Sequence, residues 1–266
     1  MFNLVKMDIR HLFRSRGFYS ILLVTTALIL GVSALVATMT DQEVLDAMEA
    51  QGAEIDKSDY EMKAELVRMG QLNFVHECLG SGFLLVMAGI GMTLFTGGDF
   101  SSGYVKNICF VRPRRRDYVL SKLLLAGVYS GVLTVLSILM ALLGPILAGL
   151  RLAASPLPQL LWYAALLWLP CWAFSLMALA LVLLTRTTTL GIIMSLVSGA
   201  RLTAVLVGTL GGQLGLPPVE RYFLSSVVQD LCSPQAGAAA VILACAAGWG
   251  VLYAGVSLAV MKKRDI

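Results

Sequence analysis

The stretch from Leu123 to Leu150 carries no charged residue, and an apolar run of that length has few folded fates. About 20 residues of helix cross the roughly 30 Å hydrocarbon layer of a bilayer, where only a helix or a closed barrel satisfies its backbone. Such a run is a membrane helix. Others recur along the chain, and together they predict six spans, at 18–39, 79–96, 123–150, 157–184, 190–207 and 236–261. The fold class is an all-α polytopic membrane protein, a single transmembrane domain over residues 1–266. Charged residues make up 14% of the chain against roughly 25% in soluble domains. Pro145, Pro156, Pro158 and Pro170 fall at ends of the third and fourth spans or invite kinks that neighbouring helices can repair.

Charge sets the sidedness. Residues 1–17, 99–122, 185–189 and 262–266 hold 14 of the 20 basic residues, but only Asp8, Asp99, Asp117 and Asp265 of the 16 acidic ones. Basic segments beside spans stay in the cytoplasm, so both termini are expected inside a cytoplasmic membrane. The net charge of +4 is accounted for by this sidedness, and no nucleic-acid partner is expected. Residues 40–77 invert the balance, with ten acidic residues from Asp41 to Glu77 against Lys57, Lys63 and Arg68. This loop belongs outside, and its apolar spacing around Val44–Met48 and Tyr60–Val67 fits two short amphipathic helices.

Residues 1–17 place Leu4, Met7, Ile9, Leu12 and Phe13 largely on one helical face, with Lys6, Arg10, Arg14 and Arg16 between them. That predicts an amphipathic helix in the inner headgroup region, its basic residues reaching anionic lipid. The apolar run that follows is longer than a signal-peptide core and no small-x-small cleavage site follows it, so it reads as an uncleaved anchor. Residues 208–234 are semi-apolar, rich in glycine and proline at the start, with VERYFLSSVVQDL reading as an amphipathic helix in the outer interface. A re-entrant segment and an ordinary loop with a surface helix are equally compatible with them.

The polar interruption DFSSGYVKNICFVRPRRRDYVLSK, Asp99 to Lys122, is the segment with most to say about function. Asp99, Ser101 and Ser102 can cap a helix start, and Arg112-Pro113 disfavours helix beyond it. A short cytoplasmic helix carrying Gly103, Lys106 and Asn107 is predicted between spans 2 and 3, and Arg112, Arg114, Arg115 and Arg116 serve as topology anchors at the membrane surface.

Chemistry is otherwise scarce. None of the seven lysines follows a glycine, so the phosphate-cradling Gly-x4-Gly-Lys-Ser/Thr loop of an ATPase is absent. His76-Glu77 begins a zinc-protease helix motif, but Gly80 stands where its second histidine is needed. With only His11 and His76 in the chain, and on opposite sides of the membrane by this topology, no metal site and no histidine-based catalysis is expected. The five cysteines form no Cys-x-x-Cys pair; Cys78 and Cys232 both lie near the outer surface in this topology, but distance cannot be read from sequence, and unpaired buried thiols are the expectation. Arg201 stands out as an ionisable residue within the fifth apolar run. Intramembrane arginine is expensive and by default a candidate for a cavity or substrate contact, the plainer reading being that it snorkels outward.

The order of basic N-terminal helix, span, outer loop and span, then Asp-x3-Gly-x2-Lys-Asn at Asp99, Gly103, Lys106 and Asn107, then Arg116 and Lys122, resembles the permease subunits of ATP-binding-cassette type-2 exporters. The ending Lys262-Lys263-Arg264-Asp265-Ile266 is similar to theirs as well, while Asp99 and Tyr104 stand where the family often has Glu and Thr. The resemblance implies a six-span half-transporter that dimerises with itself or a second permease and docks two copies of a separate P-loop ATPase. The chain itself would be no enzyme and bind no cofactor, ATP and Mg²⁺ belonging to the partner. The helix after span 2 would be the coupling helix, with Asp99, Gly103, Tyr104, Lys106 and Asn107 as its contact set. The expected cargo is an amphipathic or antimicrobial peptide or a drug-like amphiphile, moved outward. The alternative is a membrane scaffold or sensor whose acidic outer loop recognises a partner and which transports nothing.

Overall fold

A computed structural model of the chain describes residues 2–39, 41, 44, 46, 49–50, 57–105, 115–215, 217–232 and 238–263, with the backbone alone at 2, 57–67, 115 and 263. Lys106, Asn107, Arg112 and Arg114 lie outside the described residues, as do most of 40–56 and the last three residues. Among the described residues all regular structure is helical. The helices are α1 (Phe2–Arg14), α2 (Arg16–Met39), α3 (Lys57–Gly80), α4 (Phe83–Ser101), α5 (Arg115–Leu147), α6 (Leu157–Thr185), α7 (Thr188–Gly199), α8 (Leu202–Gln213), α9 (Leu224–Gln229) and α10 (Ala238–Lys263). Short 3-10 turns at Val219–Tyr222 and Asp230–Cys232 flank α9.

Five of these, α2, α4, α5, α6 and α10, are long and apolar enough to cross a membrane, and α7 with α8 makes a sixth if the pair is one span bent by 62°. The chain is a multi-pass membrane protein. The fifth run, expected as one helix over 190–207, is broken at Gly199–Arg201: Arg201 adopts φ 64 and opens α8. A side chain there strains the left-handed region by roughly 1–2 kcal/mol, so surrounding packing must hold it. The second span also differs from expectation. Gly82 at φ 83 sits before α4, because its missing Cβ lets the Gly199 carbonyl approach, and α4 continues through Asp99 to Ser101.

Helix α6 forms the centre, with 78% of its most apolar stretch buried, whereas α2 and α10 bury only 17% and 11% and line the outside. Helices α4, α5, α7 and α10 pack around α6, and α2 leans on α5. Trp168 and Trp172 of α6 stack with centroids 5.8 Å apart and fit over Gly127 and Gly131 of α5, small residues that admit close helix contact. Their indole N–H groups donate to Gly127 O and Leu123 O, each at 3.0 Å. Between α4 and α7 glycine again sets the spacing: Gly89 faces Ser195, Gly97 faces Thr188 and Gly191 faces Thr93.

One expectation for the loops is corrected. The segment expected as a surface amphipathic helix at 219–231 instead folds as a 3-10 turn and the short α9, whose residues Leu224, Ser225, Ser226, Val227 and Val228 are all buried against α3, α6 and α10. The Tyr60–Val67 stretch lies on a short helix of its own, because Lys57–Gly80 is two helices joined across a break at Gly70 (φ 78, ψ 168). Beyond that break α3 buries Phe74, Val75 and Leu79, so this end of the acidic loop belongs to the packed core.

Candidate functional site

Helix α1 buries Leu4, Asp8 and Leu12, residues four apart that share one helical face. An aspartate therefore stands in the middle of the stripe that docks α1 on the bundle. Met7 and Phe13, expected on the same apolar face, are exposed on another side at 44% and 42%. Lys6, Arg10, Arg14 and Arg16 are all exposed.

Asp8 is buried because α5 and the turn after α4 supply its partners. Lys122, in the second turn of α5 and fully buried, places its Nζ 3.1 Å from Asp8 Oδ1 and 2.6 Å from Asp99 Oδ2. The Ser121 hydroxyl donates to Asp8 Oδ2, the Tyr104 hydroxyl donates to Asp8 Oδ1 at 3.2 Å, and Tyr118 donates to Asp99 Oδ2 at 3.1 Å. The ammonium also lies over the ring of Phe95, 4.5 Å from its centroid, with the rings of Tyr118 and Tyr104 at 5.4 and 5.6 Å. One cation thus ties the N-terminal helix to the ends of two spans. A buried pair survives only with such geometry and enough hydrogen bonds to replace hydration. Tyr104 lies just beyond α4; burial, and then the Asp8 carboxylate it donates to, hold its phenol well above the ordinary range, so it remains a donor at neutral pH.

Asp99 therefore does not begin a cytoplasmic helix. It lies in the last turn of α4, 1% exposed and paired with Lys122, which takes it out of any contact set for a soluble partner. The helix runs on through the charge because Lys122 and Tyr118 compensate it. Gly103 follows at φ 71 with open space around it, as a turn at the end of α4 requires. Of the residues expected to act together, the structure joins Asp99 and Tyr104 through Lys122 and Asp8; Arg116 is exposed near the start of α5, and Arg115 is described by its backbone alone.

Beside this cluster an open cavity of about 510 Å³ lies between the end of α4 and the α6–α7 turn, lined by Gly97, Phe100, Ser101, Val105, Arg186 and Thr187 to Thr189. Arg186 is exposed there and adopts φ 57 as the C-terminal cap of α6.

Arg201 belongs to a second polar group. Its Nη1 donates to Gln229 Oε1, while its Nε is buried without a partner. The main-chain oxygen of Gln229 lies 3.0 Å from His76 Nε2, and Tyr163 OH lies 3.3 Å from His76 Nδ1. A carbonyl can only accept, so Nε2 carries a proton and donates to it. The bend between α7 and α8 is thereby linked through α9 to α3 and α6. Among the described residues no group of three His, Cys, Asp or Glu side chains could hold a metal ion, and Cys78, Cys171, Cys232 and Cys245 are free thiols.

Sequence reasoning overlooked Asp8, Ser121 and Tyr118 as site residues and read Lys122 only as a basic residue before a span. A usable signal existed: Asp8 interrupts the Leu4–Leu12 stripe, and Lys122 lies within a helical run whose neighbours are apolar. No protein-family model matches the chain, and no curated protein does.

Proposed function

We propose that this chain is the permease subunit of an ATP-driven exporter of the ATP-binding-cassette type-2 class, working as a dimer with two copies of a separate P-loop ATPase. The observation that carries the reading is the Asp8–Lys122–Asp99 cluster, in which one buried ammonium joins α1 to the ends of α4 and α5. The segment between α4 and α5 leaves from the helix turn that holds Asp99 and leads into the helix whose second turn holds Lys122. A push on the loop from a docked ATPase would reach three helices as one body, which is how a rigid element biases a two-state membrane domain. The contact role then passes from Asp99 to the loop residues beyond it, with Asp99 as a transmitter behind them.

In this reading the Asp99 end of the bundle faces the cytoplasm and α1 lies in the inner headgroup layer, its exposed Lys6, Arg10, Arg14 and Arg16 against anionic lipid. The bent α7–α8 pair counts as the fifth of six spans. The cavity beside Arg186 opens where the ATPase would sit. Arg201, with a buried and unpartnered Nε, is the residue of the chain best suited to meet cargo from the opposite side, an amphipathic peptide or a drug-like amphiphile. ATP and Mg²⁺ stay on the partner, and this chain catalyses nothing.

The test is purification of the chain from its native membrane in mild detergent. A P-loop ATPase should accompany it, and Lys122→Met, in protein that still inserts, should leave ATP hydrolysis running while transport stops. An intact chain with no accompanying ATPase would refute the permease reading and favour a non-transporting scaffold.

A further inference from the structure

The cluster at the base of α1 has an imbalance of charge. Two carboxylates, Asp8 and Asp99, share one ammonium, Lys122, and all three side chains are essentially without solvent contact. With every group in its ordinary ionised form the cluster carries one net negative charge in a low-dielectric interior. An uncompensated buried charge is expensive, and such groups take up or lose a proton instead. Among the described residues, Asp8 and Lys122 are the charged groups acting on Asp99. The other groups that face it are neutral donors, Tyr118 from α5 and Tyr104 from the turn after α4. From α1, His11 is exposed and lies 5.3 Å from Phe95 and 6.2 Å from Tyr104, ring to ring. Arg186, from the α6–α7 turn, lines the neighbouring cavity with Gly97 and Ser101.

The hydrogen bonds say where a proton can go. Asp8 accepts from Lys122, Tyr104 and Ser121, which engages both oxygens with three donors. Asp99 accepts from Lys122 and Tyr118, both on Oδ2. Its Oδ1 is buried and has no partner. Left bare in the interior, an ionised oxygen costs far more than a neutral carboxyl O–H that also lacks a partner, so Oδ1 is where a proton is held at least cost. Three residues back on α4 the hydroxyl of Thr96 is also buried without a partner, and one further turn back so is that of Thr93. Some buried hydroxyls in the spans fold back onto the carbonyl four residues earlier, as Thr25, Ser33, Ser175 and Ser195 do, whereas Thr134 and Ser137 of α5, like Thr93 and Thr96, have no partner. Thr93 and Thr96 thus leave a row of unused polar oxygens on the Asp99 side of α4.

We infer that Asp99 is a proton-binding site: in the resting protein Oδ1 of Asp99 carries a proton, and the cluster is the neutral set of ionised Asp8, protonated Lys122 and Asp99 carboxylic acid. The ligand is a single proton, exchanged with water when the cluster opens. No bond other than O–H forms or breaks. This inference goes beyond the transport reading and does not depend on it.

The test is infrared spectroscopy of the full chain in nanodiscs at about pH 7, read at the carbonyl stretch of protonated carboxyl groups. Asp8 and Asp99 are the fully buried carboxylates among the described residues, so exposed acids contribute no such band at that pH. One protonated carboxyl per chain is expected, lost in Asp99→Asn and retained in Asp8→Asn. Labelling of aspartate with carbon-13 in the unmutated chain should shift the same band, so the result stands even if Asp99→Asn fails to insert. Absence of the band, a band that labelling leaves in place, or one that persists in a folded Asp99→Asn protein would overturn the assignment. So would absence of the band combined with a melting temperature that rises in sodium relative to a bulky organic cation at equal ionic strength, because a metal ion would then supply the missing charge.

Discussion

Replacing Lys122 with Met removes the cation that, among the described residues, faces Asp8 and Asp99, while keeping a straight side chain of similar volume. Packing loss is therefore small, on the order of 1 kcal/mol. The electrostatic loss is larger. Lys122 sits 2.6 and 3.1 Å from its two carboxylate partners with no exposure on any of the three side chains above 1%. Removing one member of a buried pair costs about 3–5 kcal/mol, because the remaining charge stays in the interior without a partner. Taking that figure, Lys122→Met should lose about 4 kcal/mol in equilibrium unfolding from mixed detergent micelles. Adding Asp8→Asn removes the stranded charge, so the double variant should recover about 2 kcal/mol of the loss, a coupling that double-mutant analysis reads directly. The loss should grow on raising the pH, since the stranded carboxylate then loses its option of protonation. A single variant within about 1 kcal/mol of wild type, or a double variant less stable than the single, would show that the ammonium does not hold these helices together.

Close packing and thiol chemistry offer independent checks. Gly97→Ala would drive a methyl onto the Thr188 side-chain methyl and should lower stability by about 1–3 kcal/mol; Thr188→Ser, which leaves the nearest remaining side-chain carbon at 3.4 Å, should restore most of it in thermal melts. Burial, and then the neighbouring Glu77, push the thiols of Cys78 and Cys232 up to about 11, and the thiolate is the reactive form. Maleimide labelling of each should accordingly be slow at neutral pH and climb until about pH 11, and rapid labelling at pH 7 would contradict the packing of α3 on the 230–232 turn. Arg201→Ala and Arg201→Gly both lose the contact with Gln229, but only glycine relieves the φ of 64. The glycine variant should be the more stable of the two by about 1 kcal/mol, and equal melting temperatures would place Arg201 outside the left-handed region.

The apolar runs were readable because span length and hydropathy are local properties: α2, α6 and α10 begin and end within two residues of the expected limits. The start of α4 was not, because Gly82 departs from helix to meet the Gly199 carbonyl far along the chain. Its end was misread for a related reason. Asp99 beside serines is a good helix-cap signal when solvent surrounds it, and only Lys122 and Tyr118 from another helix make it a buried side chain inside the last turn. Asp8 and Lys122 were visible as charges, but their pairing is a tertiary fact linking residues 114 apart. The break at Gly199–Arg201 had its signal in an arginine within an apolar run, which reads equally as a pathway residue in a straight helix. Residue by residue, what depended on composition was legible and what depended on a distant partner was not.

The lengths of the helices make bilayer thickness an input to this protein. Helix α5 has 33 residues, about 50 Å of helix against roughly 30 Å of hydrocarbon, so it meets a thicker or thinner membrane by changing tilt or overhang. Helices α7 and α8 have 12 residues each, about 18 Å, and neither crosses alone. Their combined reach depends on the 62° angle at Arg201. If the pair is one bent span, stretching the hydrocarbon layer would pull that angle open and thinning it would fold the pair further, and because the Arg201–Gln229 contact spans the joint, acyl-chain length would then act on the same side chains that hold the bend.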